Sequence, residues 1–169
     1  MVSLLTRIGF GSVVAGLTAL VLFWFFPNEE KVIRKLLASV EIKSRLSGSE
    51  SALIRIARMQ QLAENFDTNT VILLDGTDFG PVTITGRSDL SERLMAAAGS
   101  GINVRAEFSQ VAVKVNPDKM TGEAEVAAIL KFGSNQQRPG TLNLFRFILE
   151  KRGKQWTITR LEAIKGPKL

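Results

Sequence analysis

The chain contains no cysteine, no histidine and no tyrosine. Without cysteine there is no disulfide framework, no thiol nucleophile and no thiolate metal site. Without histidine it lacks the side chain that most often moves protons near neutral pH. Concentrated positive charge is also missing. The 22 Lys and Arg against 16 Asp and Glu give a net charge of +6, but no run of five or six like charges forms. Nucleic-acid recognition needs clustered cations with exposed aromatics. The ten Phe and two Trp fall mostly in apolar stretches, so no nucleic-acid partner is expected. A phosphate-cradling fingerprint and zinc-ligand spacing are absent too, because Gly76-Thr77-Asp78-Phe79-Gly80 lacks the lysine of a P-loop. No cofactor and no metal are expected.

What is present is an apolar run over 8–26, IGFGSVVAGLTALVLFWFF, without a charged residue. A helix of this length spans a hydrocarbon core of about 30 Å. The run is longer than a signal-peptide core and ends in Leu22–Pro27 without a small-x-small cleavage site. An uncleaved single-pass anchor is therefore expected, with membrane lipid as its partner; a cleaved secretory signal is the rival reading. Trp24 stands where an interfacial aromatic would sit. The flanking cations conflict. Lys31, Arg34 and Lys35 after the run outnumber Arg7 before it, which favours a cytoplasmic domain. Long domains translocate largely regardless of charge, however, and a short basic start is the usual pattern of an inward-facing N-terminus. The expected location is a cell membrane, with the folded domain on the periplasmic or outer side. Residues 1–27 then form the tail and anchor, and 28–169 one domain carrying a net +5.

Asn28 is placed to cap a helix opened by Glu29 and Glu30. Val32, Ile33, Leu36, Leu37 and Val40 make one stripe of it. After Ser47-Gly48-Ser49, a second stripe of Ala52, Ile56, Met59, Ala63 and Phe66 predicts another helix, ended by Asp67-Thr68-Asn69. Val71–Leu74 and Val82–Thr85 read as short strands around the turn-rich 75–81. Asp89 with Glu92 resembles a capping box for a third helix bearing Leu90, Leu94, Ala97 and Ala98.

The remainder reads as antiparallel sheet. Apolar residues alternate on even numbers from Ile102 to Phe108, then on odd numbers at Val111, Val113 and Val115. A strand that changes face while still pairing needs one extra residue, which predicts a β-bulge near Ser109-Gln110. Strands over Ala124–Phe132, Leu142–Glu150 and Trp156–Leu161 follow, the middle one apolar on both faces as a central strand would be.

In this order of elements, residues 28–164 resemble the nuclear transport factor 2-like superfamily. Three phrases carry the likeness: Glu29–Leu37 at the opening, Thr85–Leu90 at the entry to the third helix, and Lys154–Glu162 at the close. The resemblance implies an α+β cone: a curved sheet wrapping helices, a cavity between them, and frequent dimers through the sheet. Phe108, Val126, Phe145, Phe147 and Trp156 are the residues expected to line that cavity. The enzymes of this superfamily that resemble steroid isomerases or dehydratases use Asp, Tyr or His there, and this chain has neither Tyr nor His. One membrane helix followed by a cone domain also resembles the bitopic scaffold subunit of type IV secretion systems in layout.

Asp75 and Asp78 are the remaining catalytic candidates, as a base in the cavity or a hard-cation site. Turn formation, which favours aspartate for backbone hydrogen bonding, is the preferred explanation of both. Glu123 and Glu125 face Lys114 across a hairpin and read as charge pairs. Arg87, Arg138, Lys151 and Arg152 are candidates for anion or surface contact. The expected function is a membrane-anchored, non-catalytic interaction or ligand-binding domain; the alternative is a small isomerase- or dehydratase-like enzyme.

Overall fold

A computed structural model describes residues 28–74, 81–133 and 141–164. The expected anchor over 8–26, Asp75, Asp78 and Arg138 lie outside these residues. Among the described residues no helix is long and apolar enough to cross a membrane. The elements run α1 (Glu29–Lys43), α2 (Ala52–Ala63), β1 (Phe66–Leu74), β2 (Val82–Thr85), α3 (Arg87–Gly99), β3 (Val104–Val115), β4 (Thr121–Phe132), β5 (Thr141–Arg152) and β6 (Gln155–Ile164).

The strands form one six-stranded sheet in the order β2-β1-β6-β5-β4-β3. All neighbours are antiparallel except β1 and β6, which run parallel. This closes the chain on itself, because the last strand lies between the first and the meander. The helices cover the inner face, α1 against β3 and β6 and α3 against α2 and β1. The expected α+β class holds.

Asn28 caps α1, its Oδ1 accepting from Lys31 N at 3.3 Å. Ile33, Leu37 and Val40 are the buried stripe of α1, with Val32 and Leu36 packed beside it. They meet the inner residues of the long strands. Gly122 on β4 is a point of close approach: a Cβ there would stand 3.1 Å from Ile33 Cδ1 and 3.3 Å from Lys114 O.

The bulge falls where the parity change required it. Phe108 pairs with Ala128 and Gln110 with Ala127, so Ser109 is the extra residue, and its hydroxyl donates to Ala127 O. A second parity change, from Trp156 and Ile158 to Leu161, marks a second bulge. Leu149 pairs with Ile158 and Ile148 with Arg160, which leaves Thr159 over. Strand β5 lies inside the sheet, with Phe145, Phe147 and Leu149 buried on its inner side.

Two local expectations are corrected. Asp67–Asn69 do not end a helical hairpin; they belong to β1, which starts at Phe66. The stop comes earlier, because the Asn65 side-chain amide donates to Gln61 O and Leu62 O and takes the last carbonyls of α2. Phe66 stays buried, but on a strand. Nor does Asp89 cap α3. The cap is Gly86, with φ +85° and no side-chain hydrogen bond, and its N–H donates to Thr70 O at 2.7 Å. That positive φ suits glycine. Asp89 therefore sits in the first turn, where its carboxylate pairs with Arg93 at 2.8 Å.

Candidate functional site

The five residues expected to line a ligand cavity are all on the inner face of the sheet. Val126 is 0 %, Phe147 3 % and Trp156 5 % exposed, with Phe145 also buried. Phe108 is half-buried, its ring tilted 58° against Phe147 at a centroid separation of 6.3 Å. These side chains form one core cluster with Ile33 and Leu37 of α1. The structure thus brings the five together as packed core.

Trp156 reveals a residue that sequence reasoning missed. Its indole Nε1 donates to Glu29 Oε2 at 2.7 Å, and the Lys151 ammonium is bonded to Glu29 Oε1. Lys151, expected at the surface, is mostly buried in this ion pair. Burial raises the Glu29 carboxyl pKa, but the hydrogen bonds from Lys151 and Trp156 and the charges of Lys151 and Lys119 outweigh it and hold the pKa below its ordinary value. Arg152 is likewise engaged, with Asp67 Oδ2 at 2.9 Å and Glu150 at 3.7 Å. Asp67 is buried, a second carboxylate that the sequence reading took for a turn. The Glu123 and Glu125 pair finds its cation on β5: Arg146 lies 2.6 Å from one and 3.0 Å from the other.

The open chemistry lies elsewhere. Past the end of α1, Leu46 forms an isolated bridge with Val104, its N–H donating to Val104 O at 2.8 Å. Gly48 N–H donates to Asn103 Oδ1 at 2.6 Å, so the 44–51 segment is tied to the start of β3. Between them opens a cleft of about 670 Å³ with Ile42, Leu46 and Val104 on its apolar side and Arg45, Arg58, Arg105 and Lys131 as its cations.

Three carboxylates face these four cations. Glu41 pairs with Arg45 at 2.9 Å, Glu50 with Arg58 at 2.6 Å, and Glu107 with both Arg105 and Lys131 at 2.8 and 3.1 Å. The hydrogen bond from Arg58 holds the Glu50 pKa low, and that from Lys131 does the same for Glu107. Both carboxylates stay ionised near neutrality and make poor proton carriers there. Arg45 Nε and Glu50 Oε2 are buried without a hydrogen-bond partner. The cleft thus sets four cations, each paired with a carboxylate, beside an apolar wall.

Arg87, the first residue of α3, lines a separate cleft of about 740 Å³ with Glu64, Thr68 and Ser91 among its walls.

No family model and no curated protein matches this chain. Solved structures share its fold. A nuclear transport factor 2-like protein with a cystatin-like fold from Novosphingobium aromaticivorans DSM is 16% identical, with 88% of this chain and 87% of that one covered and a TM-score of 0.57. A nuclear transport factor 2-like protein of unknown function from Pseudomonas putida KT2440 is 12% identical, covering 79% and 84%, with a TM-score of 0.60. A Novosphingobium aromaticivorans DSM 12444 protein described provisionally as a scytalone dehydratase is 12% identical, covering 79% and 80%, with a TM-score of 0.58. The fold is that of the nuclear transport factor 2-like, cystatin-like proteins. At these identities the likeness is one of fold.

Proposed function

We propose that this protein is a membrane-tethered, non-catalytic interaction domain. The run over 8–26 serves as a single-pass anchor, and the cone behind it recruits a protein partner or a second copy, as a scaffold subunit of an envelope assembly would, on the periplasmic or outer side. The observation that carries this reading is the packed inner face, where Val126, Phe147 and Trp156 serve as core. The outward sheet face supports it. Leu142 is 61 % exposed there, with Leu144 on β5 and Ile129 on β4 beside it, a surface suited to sheet-to-sheet contact.

The competing reading is a small isomerase- or dehydratase-like enzyme with Asp75 or Asp78 as base. It draws on the neighbour described provisionally as a scytalone dehydratase. It requires an open interior, and Phe147→Ala separates the two. In a packed core this truncation costs about 3–5 kcal/mol in urea unfolding. A loss well under 1 kcal/mol, about the smallest core deletion, together with turnover abolished by Asp75→Asn or Asp78→Asn, would replace the scaffold with the enzyme.

A further inference from the structure

On the tether reading above, the start of α1 is the end of the domain next to the bilayer. Only Pro27 and Asn28 separate the apolar run from α1, a reach of at most about 7 Å. Two hairpin tips surround that start. The β5–β6 tip is held by Lys151 and Trp156 on Glu29. The β3–β4 tip is held by Lys151 N–H donating to Met120 O at 2.7 Å, and it brings Lys119 within electrostatic reach of Glu29. The start of α1 is therefore held by both hairpin tips.

The carboxylates described at this end are engaged. Glu29 serves Lys151 and Trp156, Glu30 pairs with Arg34 at 2.8 Å, and Asp67 and Glu150 share Arg152. Asp118 accepts from the N–H groups of Met120 and Thr121. Lys31, Lys119 and Lys154 are exposed at this end, and Met120, next to Lys119, is 48 % exposed.

We propose that this end rests on the headgroup layer of the membrane, with Lys31, Lys119 and Lys154 over anionic lipid and Met120 at the interface. The inference depends on the tether reading above. Its consequence is that the cation-lined cleft, at the far end of the 15-residue helix α1 and roughly 20 Å from the helix start, is held off the bilayer and open to a partner.

The absence of native cysteine allows single-site labelling. Met120→Cys, Lys154→Cys and, at the far end, Ile102→Cys are each made in the full chain and labelled with a fluorophore. Each is reconstituted into vesicles of phosphatidylcholine with phosphatidylglycerol that carry a headgroup spin-label quencher. The expected result is quenching several-fold stronger at 120 and 154 than at 102. That excess at position 120 is lost when Lys31→Gln, Lys119→Asn and Lys154→Gln are combined, with circular dichroism unchanged. Flotation after a high-salt wash tests the tether separately. A chain that floats but quenches equally at all three sites overturns this proposal and leaves the tether standing. An excess that survives loss of the three lysines overturns the anionic-lipid contact. A chain that does not float overturns both readings.

Discussion

Glu29 is the residue whose role is furthest from its sequence appearance. In the sequence it is an acidic first-turn residue at a helix start, a place where carboxylates are common for the dipole alone. In the structure it accepts from both an indole and an ammonium that are more than 120 positions away. Glu29→Gln leaves the mostly buried Lys151 without its counter-ion, and the expected loss is about 1–3 kcal/mol in denaturant unfolding at neutral pH. The pH dependence has a definite sign. The folded-state pKa lies below the ordinary 4.5, so the contribution is present above that value and drains away as pH falls through it toward the folded pKa. The native chain therefore loses stability on acidification below about pH 4.5, the ordinary carboxylate range. Glu29→Gln shows a shallower acid limb, and parallel slopes from thermal unfolding across pH 3–7 would contradict the assignment.

Arg55 works at the scale of elements. It is buried, and it carries no ion pair among the described contacts. Its Nε donates to Ala98 O at 2.8 Å near the end of α3, and its Nη1 donates to Glu50 O at 2.7 Å. One guanidinium thus joins α2, α3 and the segment that walls the cleft, and the carbonyl end of α3 suits a cation. Arg55→Ala leaves those carbonyls without their donor, and the expected cost is roughly 2–4 kcal/mol from unsatisfied buried groups. Lost chemical-shift dispersion around Ser47–Ser51 would accompany it, whereas a purely helical effect would leave that segment unmoved.

Strand β3 depends on a different element-scale device. Deleting Ser109 removes the unpaired residue and leaves a regular ladder, with Phe108 opposite Ala128, Gln110 opposite Ala127 and both apolar sets still inward; what is lost is the local bend of the strand. The deletion is expected to keep unfolding cooperative by circular dichroism at reduced stability, because the strand loses its bend but not its register, while Ser109→Ala, which removes only the hydroxyl bond to Ala127 O, is expected to cost about 1 kcal/mol.

At the scale of the whole molecule, the outward sheet face is the one that the proposed association would use. Its apolar residues on β4 and β5 sit beside a charged band of Glu123, Glu125 and Arg146. A charge inside the apolar part opposes any sheet-to-sheet dimer, because it must be desolvated without a partner. Leu142→Glu is exposed enough to leave the fold stable, and it is expected to shift sedimentation from dimer to monomer by at least a tenfold weaker association, about 1.4 kcal/mol. Identical sedimentation of the two chains would remove this face as the contact.

The chain's local patterns decided a good part of this protein. Periodicity gave the helical stripes, and a change of parity located the Ser109 bulge, because side chains alternate strictly along a strand and a slip of one residue is visible in the letters. The parity change before Leu161 carried the Thr159 bulge in the same way. Tertiary structure alone decided where the polar groups go. Glu29 meets Trp156, Asp67 meets Arg152, and Gly86 displaces Asp89 as a cap, since each depends on which distant segments the sheet order β2-β1-β6-β5-β4-β3 brings side by side. The cation-lined cleft was unreadable for the same reason. Arg45, Arg58, Arg105 and Lys131 are scattered over 87 positions and become neighbours only when the end of α1 bridges to Val104.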